Sequence, residues 1–92
     1  MKTQLITPDG TITDITPMNG ETFQLQELYE LLECSYIEIV NSIDGRLIIC
    51  DEEGKLYNRA YNEKASDLYK HGCNPGHELV GKVLFCKPSQ ID

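Results

Sequence analysis

The segment from Ile39 to Cys50, I-V-N-S-I-D-G-R-L-I-I-C, restricts the fold more than any other part of the chain. Asp44-Gly45 lies between two β-rich runs, and an Asp-Gly pair in that setting specifies a β-hairpin. The first arm, Ser35 to Asn41, alternates, with Ile37 and Ile39 on one face and Tyr36, Glu38 and Val40 on the other. The second arm, Arg46 to Asp51, is continuously apolar, which is the pattern of a strand inside a sheet and covered on both faces. The rest of the chain therefore has to supply neighbouring strands and two coverings.

It contains the means to do so. Lys2 to Thr7 and the β-branched run Thr11 to Thr16 flank Pro8-Asp9-Gly10, a turn sequence, and predict an N-terminal hairpin that Pro17 ends. Asn19-Gly20 marks a further turn. Phe23 to Cys34 sets Leu25, Leu28, Tyr29, Leu31 and Leu32 on one helical face and Gln26, Glu27, Glu30 and Glu33 on the other. Asn62 can cap a second helix, Glu63 to about Tyr69, with Ala65, Leu68 and Tyr69 as its apolar side. Val80 to Cys86 reads as the last strand, and Lys87 to Asp92 as a frayed end. The order strand, strand, helix, strand, strand, helix, strand predicts one small α+β domain, residues 1–92, with a mainly antiparallel sheet and a helix for each face.

Ninety-two residues suffice for one modest core and not for a cleft between two lobes. No apolar run reaches the length of a membrane span, and the N-terminus lacks the apolar stretch of a signal peptide, so a cytoplasmic protein is expected. Cys34, Cys50, Cys73 and Cys86 are irregularly spaced and contain no C-x-x-C pair, which in a reducing compartment reads as free thiols.

The net charge of −7 is unevenly distributed. From Thr3 to Gly45 there are eight acids (Asp9, Asp14, Glu21, Glu27, Glu30, Glu33, Glu38, Asp44) and no Lys or Arg; from Gly54 to Asp92 six bases stand against four acids. The first half should repel duplex nucleic acid and anionic membrane and could attract a basic protein surface; the simpler reading is a surface that only keeps the chain soluble.

Three stretches are candidates for chemistry. Asp51-Glu52-Glu53-Gly54 has adjacent carboxylates but none of the alternating acids of a calcium loop, and reads as a turn exposed to water. His71, Cys73 and His77 form H-x-C-x3-H, residue types that bind zinc, but no fourth ligand lies nearby in sequence; no metal site is assigned, and a surface loop is the simpler reading. A Cys73–His pair also lacks an orienting third group and an oxyanion hole, and no known catalytic motif occurs, so no enzyme and no cofactor is expected. Lys55, Tyr57, Asn58, Arg59, Tyr61, Asn62 and Lys64 combine aromatic, cationic and amide groups as a nucleotide-like ligand would need, with the helix start after Asn62 as the place for an anion. The alternative for that stretch is a connection whose tyrosines half-bury against the sheet.

The run SYIEIVNSIDGRLIICDEEGKLYNRAYNEKASDLY with the closing LVGKVLFC resembles an uncharacterised domain family found in phages, plasmids and conjugative elements. Its pattern is Y-I-E-V-V, a D-G hairpin, an apolar strand, E-E-G-K, an N-x-x-A helix start and I-V-G-x-V-L-x-C. Tyr36, Ile37, Glu38, Asp44, Gly45, Glu52, Glu53, Gly54, Lys55, Asn62, Ala65, Val80 and Gly81 stand at the matching positions, over about Thr22 to Lys87. Cys34-Ser35 replaces a Gly-Gly common in the family, and the His71 to His77 loop is a local variation. The resemblance implies an α+β fold and a mobile-element context, and no catalytic residues.

Composition and resemblance together predict a non-catalytic, acidic binding protein whose target is a host protein, in an anti-defence or regulatory role, with Glu27, Glu30 and Glu33 as contact residues. Two alternatives are sequestration of a nucleotide-like signal, which can bridge a homo-oligomer interface, and metal binding through the 71–77 loop.

Overall fold

The computed structural model describes residues 2–54, 59–69 and 78–91. The elements run β1 (Gln4–Ile6), β2 (Ile12–Asp14), α1 (Leu25–Leu32), β3 (Ile37–Asn41), β4 (Leu47–Asp51), α2 (Glu63–Leu68) and β5 (Val83–Cys86), followed by a 3-10 turn at Pro88–Gln90. The five strands form one sheet in the order β2-β1-β5-β4-β3, and every pair is antiparallel. The architecture is thus α+β, with the expected order of elements. Continuously apolar β4 lies inside the sheet, between β5 and β3.

Two-residue periodicity divides β4 and β5 between two cores. Ile48, Cys50, Val83 and Phe85 face one side, where they meet Ile6, Leu79 and Ala65 of α2, with Leu68 and Tyr69 packed beside them. Ile49, Leu84 and Cys86 face the other, against Phe23, Leu28 and Leu32. Each fully buried Ile, Leu or Phe contributes about 1.5–3 kcal/mol relative to exposure, so neither face of the central strands tolerates a polar residue cheaply. Burial pushes the Cys50 thiol up to about 12 and the Cys86 thiol up to about 11, as suits core residues that carry no thiolate at neutral pH.

Both hairpins close with the same turn. In Thr7-Pro8-Asp9-Gly10-Thr11 and Ser42-Ile43-Asp44-Gly45-Arg46, the first residue's N–H donates to the fifth residue's carbonyl at 3.0 Å. Gly10 (φ 91°) and Gly45 (φ 90°) take the left-handed position that such three-residue loops need. The Asp carboxylate accepts the fifth residue's N–H, at 2.9 Å for Asp9 and 3.1 Å for Asp44. It also accepts the hydroxyl of Thr7 or Ser42.

Helix α1 is shorter than the apolar periodicity predicts. Phe23 precedes the N-cap Gln24 and packs with Leu28, a hydrophobic staple, while Glu27 reaches back to the Gln24 N–H at 3.4 Å. At the other end Glu33 is left-handed (φ 54°), so the helix stops before Cys34. Strand β5 begins at Val83 rather than Val80 because Gly81 is left-handed (φ 73°). The expected fraying of the C-terminus is corrected: Gln90 accepts the Phe23 N–H at 2.8 Å, its side chain accepts the Lys87 N–H at 3.0 Å, and Ile91 packs on the α1 core. No helix among the described residues is long and apolar enough to cross a membrane.

Candidate functional site

The acidic triplet is not one exposed unit. Asp51 is buried, its side chain 3% exposed, and its carboxylate holds Arg59 Nε at 2.7 Å and the Glu53 N–H at 2.9 Å. Glu52 is exposed and Glu53 half-buried. The expectation of a water-exposed turn is therefore corrected for Asp51, whose charge is needed to neutralise Arg59. Gly54 and Gly81 flank this pair: a Cβ on Gly54 would lie 2.8 Å from Val80 Cγ2, and one on Gly81 2.8 Å from Arg59 Cδ.

Arg59 also donates from Nη2 to the Glu33 carbonyl at 2.6 Å, joining the end of α1 to the end of β4. Asn62 is fully buried, at 0% exposure. Its Nδ2 donates to the Ile6 and Gly81 carbonyls, each at 2.9 Å, and its Oδ1 accepts the Ala65 N–H at 3.1 Å. The helix start suggested for an anion is thus occupied by the protein's own side chain. Lys64 Nζ donates to the Gly10 carbonyl at 2.9 Å, and Tyr61 is half-exposed beside a bridge to Val80. Of the nucleotide-contact residues, then, Arg59 and Asn62 serve the fold, and Tyr61 and Lys64 face solvent. Lys55, Tyr57 and Asn58 lie outside the described residues, as do His71, Cys73 and His77. Among the described residues no group of His, Cys, Asp and Glu could hold a metal ion.

The three glutamates proposed for partner contact differ. Glu27 accepts the Met18 N–H at 2.9 Å besides its bond to Gln24. Glu33 is ion-paired with Lys82, and that hydrogen bond, ahead of simple charge attraction, lowers its pKa. Glu30 is exposed and among the described residues accepts a single 3.5 Å bond, from the Gln26 amide.

A surface feature that periodicity did not single out lies beside α1. Phe23, Gln24, Leu25, Leu28, Ile37, Ile39 and Ile91 line an open groove of about 370 Å³. Leu25 (54% exposed) and Ile39 (46%) form its accessible wall, and Tyr36 (57%) stands one residue before β3. The groove runs along an edge strand, since β3 is the last strand of the sheet. An apolar trough beside an open sheet edge suits an extended polypeptide better than a small polar ligand.

The description "Domain of unknown function (DUF3846)" matches residues 1–92. The chain belongs to this family. The match takes in the N-terminal hairpin as well as the Thr22 to Lys87 stretch expected to carry it, which agrees with β1 pairing directly to central β5. No curated protein and no solved structure matches the chain.

In this DUF3846 domain, the groove escaped sequence reasoning for a physical reason. Leu25 fits the apolar face of α1 by periodicity, but α1 starts at Leu25 and its first turn overhangs β3 rather than the middle of the sheet. The available signal was Ile39: an apolar residue on an arm that also carries exposed Glu38 and Asn41 belongs to an edge.

Proposed function

We propose that this protein is a non-catalytic binding protein that holds a basic host protein against its α1–β3 side, in a regulatory or anti-defence role within the bacterial host of a mobile element. The observation that carries the reading is the exposed apolar groove between α1 and edge strand β3, in the half of the chain that contains eight acids and no base from Thr3 to Gly45. Apolar contact would supply affinity, and the surrounding carboxylates would select and steer a cationic partner. Mobile-element origin rests on the sequence resemblance, and a cytoplasmic site of action on the same context and on the free thiols.

The test is capture of partners by the immobilised protein from a bacterial host lysate, repeated from about 0.1 to about 1 M salt, where the screening length falls from about 10 to about 3 Å. A specific partner that is lost as salt rises, and held less well by Glu30→Gln, supports the reading. A partner retained equally by Glu30→Gln at high salt would mean that charge does not select it.

A further inference from the structure

The backbone of β3 shows which groups its open edge presents. The Tyr36 carbonyl accepts the Glu52 N–H at 3.1 Å, and the Ser42 N–H donates to the Arg46 carbonyl at 3.0 Å. Both pairs belong to the register that sets Glu38 against Cys50 and Val40 against Ile48. Antiparallel pairs alternate, so the even-numbered residues bond inward to β4 while the N–H and C=O of Ile37 and Ile39 point away from the sheet. Beyond them the edge is closed: Ser42 bridges Tyr69, and the Ile43 N–H donates to the Leu68 carbonyl at 2.9 Å. Among the described residues the open window is therefore short and centred on Ile37 and Ile39, the two β3 residues whose side chains line the groove.

We propose, building on the basic-partner reading above, that β3 accepts an extended segment of the partner protein in which apolar residues alternate with Lys or Arg. That segment adds as a sixth, antiparallel strand. Residues paired with Ile37 and Ile39 bond to their outward N–H and C=O groups and project on the same face as the Ile side chains, into the groove under Leu25. The residues between them project on the opposite face, beside exposed Glu38. The alternation of the ligand follows directly: apolar toward the groove, basic toward Glu38. A second copy of this chain is the poorer occupant. The register that pairs Ile37 of one copy with Ile39 of the other sets Glu38 opposite Glu38, and like charges directly across a strand pair repel.

The probe is the capped peptide Lys-Val-Lys-Val-Lys-Val-Lys added to the isotope-labelled full chain, read by amide chemical shifts and hydrogen exchange. Binding is expected to slow exchange at Ile37 and Ile39, by about tenfold or more at saturation, and to shift the Leu25 and Ile39 methyl resonances. Replacing Lys by Glu in the peptide, or N-methylating its central Val, should each weaken binding about tenfold. Ile39→Pro removes one outward donor at an edge position that tolerates proline, and Glu38→Gln removes the charge without touching the backbone; both should weaken binding in a chain that still folds. Absence of binding, or shifts without protection at Ile37 and Ile39, overturns strand addition. So does protection at low salt that grows with protein concentration alone, which would make a second copy the occupant. Ile39→Pro also separates the two readings: if it captures the lysate partner as well as the parent does, in a salt-sensitive way, strand addition falls and the acidic-surface reading stands. If the parent captures no salt-sensitive partner, the acidic-surface reading falls whatever the peptide does.

Discussion

At the scale of single residues, the carboxylates do structural work that their positions in sequence only half disclose. Asp9 and Asp44 were legible as turn residues, because Asp before Gly is turn chemistry wherever it occurs. The hydroxyl of Thr7 and the N–H of Thr11 lower the Asp9 pKa from 3.8 to about 2. Arg46, then Ser42, lower Asp44 well below the usual carboxylate range. A carboxyl lowered on folding contributes stability that is complete above its unfolded pKa and is lost as pH falls through the folded one. The urea midpoint should therefore drop between pH 3.8 and about 2, and a double Asp9→Asn, Asp44→Asn variant should show a flatter acid limb. An unchanged acid limb would place the titration elsewhere. Asp51 was not legible, since its partner Arg59 is eight residues away and nothing local distinguishes it from Glu52 and Glu53. Arg59→Gln strands a buried carboxylate and should cost about 3 kcal/mol in chemical denaturation. Adding Asp51→Asn should recover part of that loss, with a coupling energy of about 1 kcal/mol or more.

At the scale of elements, order and type could be read because local signals agreed: two Asp-Gly turns, one amphipathic helix and one Asn cap. Element ends could not, because long-range contacts set them. Asn62 is visible as a cap, but its bonds to Ile6 and Gly81, which tie α2 to the sheet, come from distant chain. Asn62→Ala should lose about 1 kcal/mol for the cap and about 1–3 kcal/mol where the Gly81 carbonyl is left buried without a donor, the Ile6 carbonyl being also paired in the ladder with Val83. Asn62→Asp keeps the cap acceptor but turns a carboxylate toward two carbonyls, so it should be destabilised at least as much; near-parental stability would show that those two bonds are not made. The end of α1 is set by Glu33 in a left-handed conformation, where glycine is the usual residue. Lys82 and Arg59 hold it there, through the side chain and the carbonyl respectively. Glu33→Gly should raise the melting temperature by relieving the backbone, whereas Glu33→Ala, which keeps the strain and loses Lys82, should lower it. The reverse order would show that the ion pair outweighs the backbone conformation.

At the scale of the whole molecule, the covered centre of the sheet and its uncovered edge stand in opposition. Helices shield both faces of β4 and β5, while among the described residues β3 presents unpaired backbone beside exposed Ile39 and Leu25. Such an edge invites pairing between copies unless something prevents it, and charge is a common means. Glu38 on β3 itself, within a chain whose net charge is −7, would supply such a barrier. Screening weakens a barrier of this kind: at 0.15 M salt the Debye length is about 8 Å, comparable with the spacing of neighbouring surface charges, and near 1 M it is about 3 Å. Sedimentation at neutral pH should therefore find a monomer at low salt and a growing dimer fraction as salt rises. Glu38→Gln should move that rise to lower salt, because it removes the one pair of like charges that self-pairing would place face to face. Ile39→Pro should abolish the rise by deleting an outward donor. A dimer that forms equally in all three proteins would have to use another surface. If the Glu38→Gln protein associates at lower salt than the parent, the same carboxylate that would recognise a basic strand is also what keeps two copies of this domain apart.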